Sequence, residues 1–123
     1  MKNTPDQLYK KLLSRNEFLA VDKFIEYLKQ SLKDNLITIK IFGSKARGES
    51  KNDSDIDIFV LVREMNYGII HNISGVASEL NLEFNIVLSP LIFSLEEDKK
   101  NRYYQTLFIK SLDKEGILLY GKL

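Results

Sequence analysis

Two apolar runs rich in β-branched residues, at 36–42 and 55–62, constrain the fold of this chain more than any other feature. The first run, LITIKIF, alternates in the manner of a half-buried strand. The second, DIDIFVLV, is almost entirely apolar after its acidic start. A strand that lacks a polar face is buried on both sides. The second run therefore predicts a strand in the middle of a sheet.

Helical and strand patterns alternate along the rest of the chain. In the first third, apolar residues at steps of three and four form one face of an amphipathic helix: Phe18, Val21, Ile25, Leu28 and Leu32. Before it, Thr4-Pro5-Asp6 resembles a helix start. Further helices are predicted at 44–49, 69–80 and 96–114, and further strands at 82–88 and 116–120.

This order of elements predicts the fold class. Alternating helices and strands indicate an α+β (or α/β) protein with a small mixed β-sheet flanked by helices. No linker or repeat divides the sequence, so we predict one domain over 1–123. Within it, 1–35 form an N-terminal helical segment and 36–123 form the sheet with its helices.

Composition excludes several classes of function. The 123 residues suffice for one core, and 44% apolar with 28% charged residues is ordinary for a globular protein. A net charge of +1 predicts no extended nucleic-acid binding. The absence of cysteine excludes disulfides and thiolate metal sites. No apolar run approaches the roughly 20 residues of a membrane span, and the N-terminus lacks a signal-peptide core. We expect a cytoplasmic protein.

The segment between the two strands, GSKARGESKNDSDID, carries groups suited to phosphate. Gly43 and Ser44 follow the first strand directly, where a helix is predicted to begin. Glycine lets a ligand approach the backbone, and a helix start offers free N–H groups to an anion. Ser44 adds a hydroxyl, and Lys45 and Arg47 add cationic donors. We predict a nucleotide phosphate site at these four residues.

Asp55 and Asp57 indicate a metal site. They lie two apart at the start of a strand, so both carboxylates leave the same face. Two acids beside an apolar strand cost free energy through repulsion and desolvation. Divalent cations such as Mg²⁺ offset that cost because they prefer carboxylate oxygens. If the two strands are neighbours, the phosphates lie beside the metal ions, as in-line transfer by two metals requires.

Each feature alone has a plainer interpretation. A Gly-Ser pair after a strand is usually only a turn, and two alternate aspartates are more often a strand edge or an ion pair. Lys45 and Arg47 alone would be solvated charges. The joint occurrence of all three features, in this order and spacing, favours the functional interpretation.

These residues carry a family resemblance. Gly43-Ser44, ten intervening residues and then Asp55-Ile56-Asp57 resemble the signature of the DNA polymerase β-like nucleotidyltransferase superfamily, whose fold resembles a polymerase palm. The longer strings GSKARG and SDIDI resemble the stand-alone minimal nucleotidyltransferases, or MNT proteins. The resemblance implies that Gly43 and Ser44 bind phosphates, that Asp55 and Asp57 ligate two Mg²⁺ ions, and that Arg47 steadies the turn or touches phosphate.

The superfamily normally supplies a third carboxylate from a later strand. On the strand predicted at 82–88, LEFNIVL, the matching position holds Asn85, which cannot act as a base. Glu83 lies two residues earlier and so on the same face. We therefore predict that Glu83 is the third catalytic acid. The alternative is that Glu83 points to solvent.

The resemblance also implies an activity and its partners. Stand-alone members resemble the antitoxin half of HEPN/MNT pairs, in which the MNT protein acts on a helical HEPN partner, in some cases by adding AMP to a tyrosine. It implies an Mg²⁺-dependent enzyme that transfers AMP from ATP to such a partner.

Two alternatives remain open. The chain could be a catalytically weak or inactive module that binds nucleotide and partner, or it could modify a small molecule, as aminoglycoside-resistance enzymes do. The sequence also leaves a homo-oligomer open.

Overall fold

A computed structural model describes residues 11–49 and 54–121, so the helix start predicted at Thr4-Pro5-Asp6 lies outside the described residues. The helices are α1 (Arg15–Leu32), α2 (Gly43–Arg47), α3 (Tyr67–Phe84), α4 (Leu95–Tyr103) and α5 (Leu107–Glu115). A 3-10 turn, Lys33–Asn35, follows α1. The strands are β1 (Leu36–Phe42), β2 (Ile56–Val62), β3 (Leu88–Ser94) and β4 (Ile117–Gly121).

The four strands form one mixed sheet in the order β3-β2-β1-β4. Strand β1 is antiparallel to both β2 and β4, whereas β2 and β3 are parallel. The predicted fold class is thereby confirmed. The position of β2 between β1 and β3 confirms that the run after the two aspartates is a central strand.

One face of the sheet is covered by α1 and α3. Alternate residues of β2, among them Ile58 and Val60, pack in one core cluster with Phe24 and Leu28 of α1 and Ile73 of α3. Helix α1 begins at a capping box in which the Ser14 hydroxyl accepts from the Glu17 N–H. The amphipathic face predicted for this helix is confirmed, since four of its five residues are buried and Phe18 packs against them.

Helix α5 and a group of phenylalanines pack on the opposite face. The ring of Phe108 lies 5.4 Å from that of Phe42, and the ring of Phe59 lies 5.4 Å from that of Phe93. Phe59 and Leu61 share a cluster with the buried α5 residues. Because side chains alternate along β2, Asp57 points to this same face as Phe59. We call it the aromatic face of the sheet.

The prediction of a strand at 82–88 is wrong. Helix α3 continues through Phe84, and Asn85 ends it in the left-handed conformation, with φ of 53°. The strand runs instead from Leu88 to Ser94 and contains Pro90. Proline is tolerated there because β3 is an edge strand, where one side of the backbone has no partner to receive an N–H.

The single helix predicted at 96–114 is two helices. Gln105, at φ of 50°, breaks the helical path after α4, and the Thr106 hydroxyl caps α5 by accepting from the Ile109 N–H. The strand predicted at 116–120 is confirmed as β4. Within the described ranges, no helix is both long and apolar enough to cross a bilayer.

Candidate functional site

The turn after β1 touches the acidic pair directly. Phe42, the last residue of β1, is the register partner of Asp57 on β2, so the two strands are neighbours as the site requires. Gly43 follows at φ of 74°, where side chains other than glycine are strained. A Cβ atom at Gly43 would overlap the Oδ2 atom of Asp57. Glycine is therefore needed for both its backbone conformation and its contact with this carboxylate.

Asp55 and Asp57 lie together where β2 begins. Asp55 is exposed just before the strand, and Asp57 is partly buried as its second residue. Burial raises the pKa of Asp57, the neighbouring Asp55 raises it further, and Arg47 lowers it. A carboxylate whose ionisation is opposed by burial and by a second carboxylate is the chemistry that a hard divalent cation compensates. The pair therefore fits such a cation, with Asp55 and Asp57 as its ligands.

Arg47 lies beside Asp57 but is held by two other carboxylates. Its Nε donates to Oε2 of Glu49 at 3.2 Å, and its Nη1 donates to Oε2 of Glu115 at 3.3 Å. The hydrogen bonds that Arg47 donates to Glu49 and Glu115 raise the pKa of Arg47, so the guanidinium is always charged. Glu115, at the end of α5, was not predicted as part of the site. Glu115 is far from Arg47 in the sequence, so no local sequence pattern could link the two residues.

Lys45, predicted to bind phosphate, points into the protein instead. Its ammonium lies 2.7 Å from Oε2 of Glu17, and both side chains are almost completely buried, with 3% and 5% exposed. The buried pair ties α2 to the first turn of α1. The structure thus places the Lys45 ammonium against Glu17 in the interior, whereas the sequence predicted a phosphate contact for it.

Glu83 is not on a strand beside the aspartates. It lies in the last turn of α3, half exposed, and its Oε1 accepts from Lys23 Nζ at 3.1 Å. The argument that placed it on the face of the acidic pair is wrong, because it depended on the strand at 82–88. In the part of the chain that the structure describes, no three acidic, histidine or cysteine residues are grouped to hold a metal.

Ser89 takes the place beside Asp57 on the next strand. In the parallel pairing of β2 with β3, Asp57 is the register partner of Ser89, and Ile56 is that of Leu88. Ser89 therefore leaves the sheet on the aromatic face, next to the acidic pair. Strand β3 reads LSPLIFS and carries no acidic residue at all.

A charged cavity of about 450 Å³ lies farther along the aromatic face and excludes the acidic pair. It is lined by Ile37, Thr38, Lys40, Phe59, Leu61, Asp98, Arg102 and Asp113. Arg102 bridges two helices there: its Nε donates to Asp98 of α4 at 2.8 Å, and its Nη1 donates to Asp113 of α5 at 2.8 Å. This network fixes the α4–α5 pair that covers the sheet.

The pattern of the nucleotidyltransferase domain family matches residues 21–119 of the chain. Two proteins of Methanocaldococcus jannaschii, each named a candidate protein adenylyltransferase, are similar to it. One is 31% identical over 79% of this chain and 92% of its own length. The other is 29% identical over 85% of this chain and 99% of its own length.

Solved structures with the same fold include a crystal structure of the toxin–antitoxin complex MntA–HepT, with a TM-score of 0.58 and 24% identity over 83% of this chain and 72% of that one. A minimal nucleotidyltransferase has a TM-score of 0.54 and 23% identity, covering 86% and 97%. An MNT antitoxin from Shewanella oneidensis, in complex with a tri-AMPylated HEPN toxin, has a TM-score of 0.54 and 22% identity over 85% and 71%.

Proposed function

Because the chain belongs to the nucleotidyltransferase domain family, we propose that it transfers AMP from ATP to a partner protein, with Mg²⁺ at Asp55 and Asp57. The observation that carries the proposal is the contact between Gly43 and the Asp57 carboxylate. It joins the turn suited to phosphate and the acidic pair in one site, as the transfer of a nucleotide requires.

The reaction divides the work between two parts of this site. The Gly43 backbone and the Ser44 hydroxyl bind the β- and γ-phosphates, and Arg47 adds a cation beside them. Bound Mg²⁺ would supply positive charge to the triphosphate. The acceptor oxygen attacks the α-phosphorus, the bond to the bridging oxygen breaks, and pyrophosphate leaves. The acceptor proton passes to water.

The proposed acceptor is a helical protein of the HEPN type. The two archaeal relatives carry names that describe protein adenylyltransferases. The neighbour in complex with a HEPN toxin has AMP attached to that toxin, and another toxin–antitoxin neighbour was crystallised with AMP-PNP. These proteins support the choice of both donor and acceptor for this chain.

The test is transfer of label from α-³²P-ATP to a HEPN-type protein encoded beside this chain's gene. We expect labelling that requires Mg²⁺ and that is lost in Asp55→Asn and Asp57→Asn. Asp22→Asn, on the exposed side of α1, is the matched control and should label at the wild-type rate. No label with wild type, or equal label after Asp57→Asn, would refute the proposal.

A second candidate function is a binding module that neutralises its partner without turnover. The favouring observation is that Ser89, rather than a carboxylate, lies beside Asp57 on β3. Calorimetry separates the two functions. The module predicts that Mg·ATP binds without pyrophosphate release and that partner inhibition survives Asp57→Asn.

A further inference from the structure

We propose that Ser89 occupies the third ligand position of the metal site, so that this chain holds its cation with two carboxylates and one neutral hydroxyl. The inference rests on the proposed function, because it concerns the same Asp55 and Asp57 pair. It assigns a role to a residue that neither the acidic motif nor the spacing along the chain points to.

The sheet register carries the inference. Neighbouring strands lie about 4.8 Å apart, and register partners project to the same side. Ser89 is the partner of Asp57 in an unbroken parallel ladder that runs from Ile56 and Leu88 to Val62 and Ser94. On the other side of Asp57, the partner is Phe42, which offers no ligand. Ser89 is therefore the strand residue beside Asp57 that can donate an oxygen.

No residue of β3 is an acid that could lie nearer to Asp57 than Ser89 does. The next positions of β3 on the aromatic face are Leu91 and Phe93, which pair with Phe59 and Leu61. Glu83 lies on α3, where it is paired with Lys23 of α1. A site with two carboxylates attracts a free divalent ion weakly, so the triphosphate must bring much of the charge that holds it.

The first experiment measures binding of Mn²⁺ alone, by the loss of the free-ion electron paramagnetic resonance signal. We expect Ser89→Asp to bind Mn²⁺ roughly tenfold tighter than wild type, because it replaces a neutral hydroxyl ligand by a carboxylate and adds one negative charge. Ser94→Asp is the matched control. It adds the same charge at the other end of β3, where Asp can replace Ser as the cap of α4. It should leave Mn²⁺ affinity unchanged.

A second variant keeps the test decisive if Ser89→Asp fails to fold. The chain has no cysteine, so Ser89→Cys introduces a single thiol. We expect Cd²⁺ to produce an ultraviolet thiolate charge-transfer band in Ser89→Cys that is weakened by adding Asp57→Asn. Ser94→Cys should give a band that Asp57→Asn does not affect.

The outcomes separate this inference from the proposed function. If wild type binds Mn²⁺ and Asp57→Asn abolishes binding, the acidic pair is a metal site. Unchanged Mn²⁺ affinity in Ser89→Asp, or a Cd²⁺ band in Ser89→Cys that is insensitive to Asp57→Asn, then overturns the role of Ser89 alone. If wild type still transfers label to its partner when either of these two results is found, the proposed function is not refuted.

Discussion

The buried ion pair of Lys45 and Glu17 gives the sharpest test of how this site is built. The Lys45 ammonium and Oε2 of Glu17 are 2.7 Å apart, and neither side chain is more than 5% exposed. Replacing Lys45 by Met leaves the Glu17 carboxylate buried without its cation. Breaking a buried pair in this way costs about 3–5 kcal/mol of the free energy of unfolding.

That loss is large enough to measure and small enough to leave a folded protein. With a urea dependence of about 2 kcal/mol/M, the unfolding midpoint of Lys45→Met falls by about 1.5–2.5 M. Lys29→Met is the matched control, since Lys29 makes an exposed ion pair with Glu26 at 3.3 Å. It should change the free energy of unfolding by less than about 0.5 kcal/mol.

Neutralising the second partner should return about half of the lost stability. In the double variant Glu17→Gln/Lys45→Met, the glutamine keeps the capping bond that Glu17 accepts from the Ser14 N–H at 2.8 Å. We expect it to recover about 2 kcal/mol of the single variant's loss. Its affinity for Mg·ATP should stay within about twofold of wild type. A tenfold loss in the double variant, or a stable Lys45→Met, would refute the structural role of Lys45.

Three further changes probe the acidic pair and the helices that cover the sheet. Burial, followed by Asp55, raises the pKa of Asp57 above its ordinary value of 3.8, so the folded state binds that proton more tightly than the unfolded state. Ionised Asp57 therefore destabilises the unliganded protein above the raised pKa. Calorimetry should show Asp57→Asn melting higher than wild type at neutral pH, with the gain vanishing as the pH falls below 3.8. An equal gain at neutral pH and below pH 3.8 would contradict this. Gly43→Ala should lose at least about 1–2 kcal/mol of unfolding free energy in urea, from its left-handed backbone alone. It should also lose Mn²⁺ binding, because the new methyl displaces the Asp57 carboxylate, and unchanged binding would count against that contact. Arg102→Met should cost more than the roughly 1 kcal/mol of an exposed pair, because it leaves the Asp98 carboxylate, whose side chain is only 9% exposed, without its cation. The cost should shrink at high salt, and a cost that salt leaves unchanged would point to lost packing instead.

Local pattern was enough to predict the elements that position the acidic pair. The strand β1, the turn at Gly43 and the strand β2 follow one another along the chain, and each has its own signal in side-chain alternation or glycine. Their contact follows from the antiparallel pairing of consecutive strands. The amphipathic helix α1 was equally readable, because its period of apolar residues matches its buried face.

The residue at the third ligand position of the proposed metal site could not be predicted in the same way. The run LEFNIVL alternates like a strand, but its first residues complete α3, whose apolar side packs on α1. Asn85 then takes the left-handed conformation, which a pattern of apolar residues does not reveal. An error of a few residues at this boundary moves every later side chain along the strand. The sequence pattern therefore did not reveal that Ser89 is the strand partner of Asp57.

The difference between residues placed by local backbone and a residue placed by long-range strand pairing also affects what the site can do. Gly43, Asp55 and Asp57 are placed by local backbone, so the proposed binding of nucleotide and cation depends on one short stretch of chain. The third ligand is placed by long-range pairing of β2 with β3, and there the chain has a neutral hydroxyl. A carboxylate at that position would add affinity for the free metal but also a third charge beside Asp57, whose pKa is already raised by burial and by Asp55. Serine avoids that repulsion in the unliganded protein, so the cation and the triphosphate are expected to bind together rather than in turn.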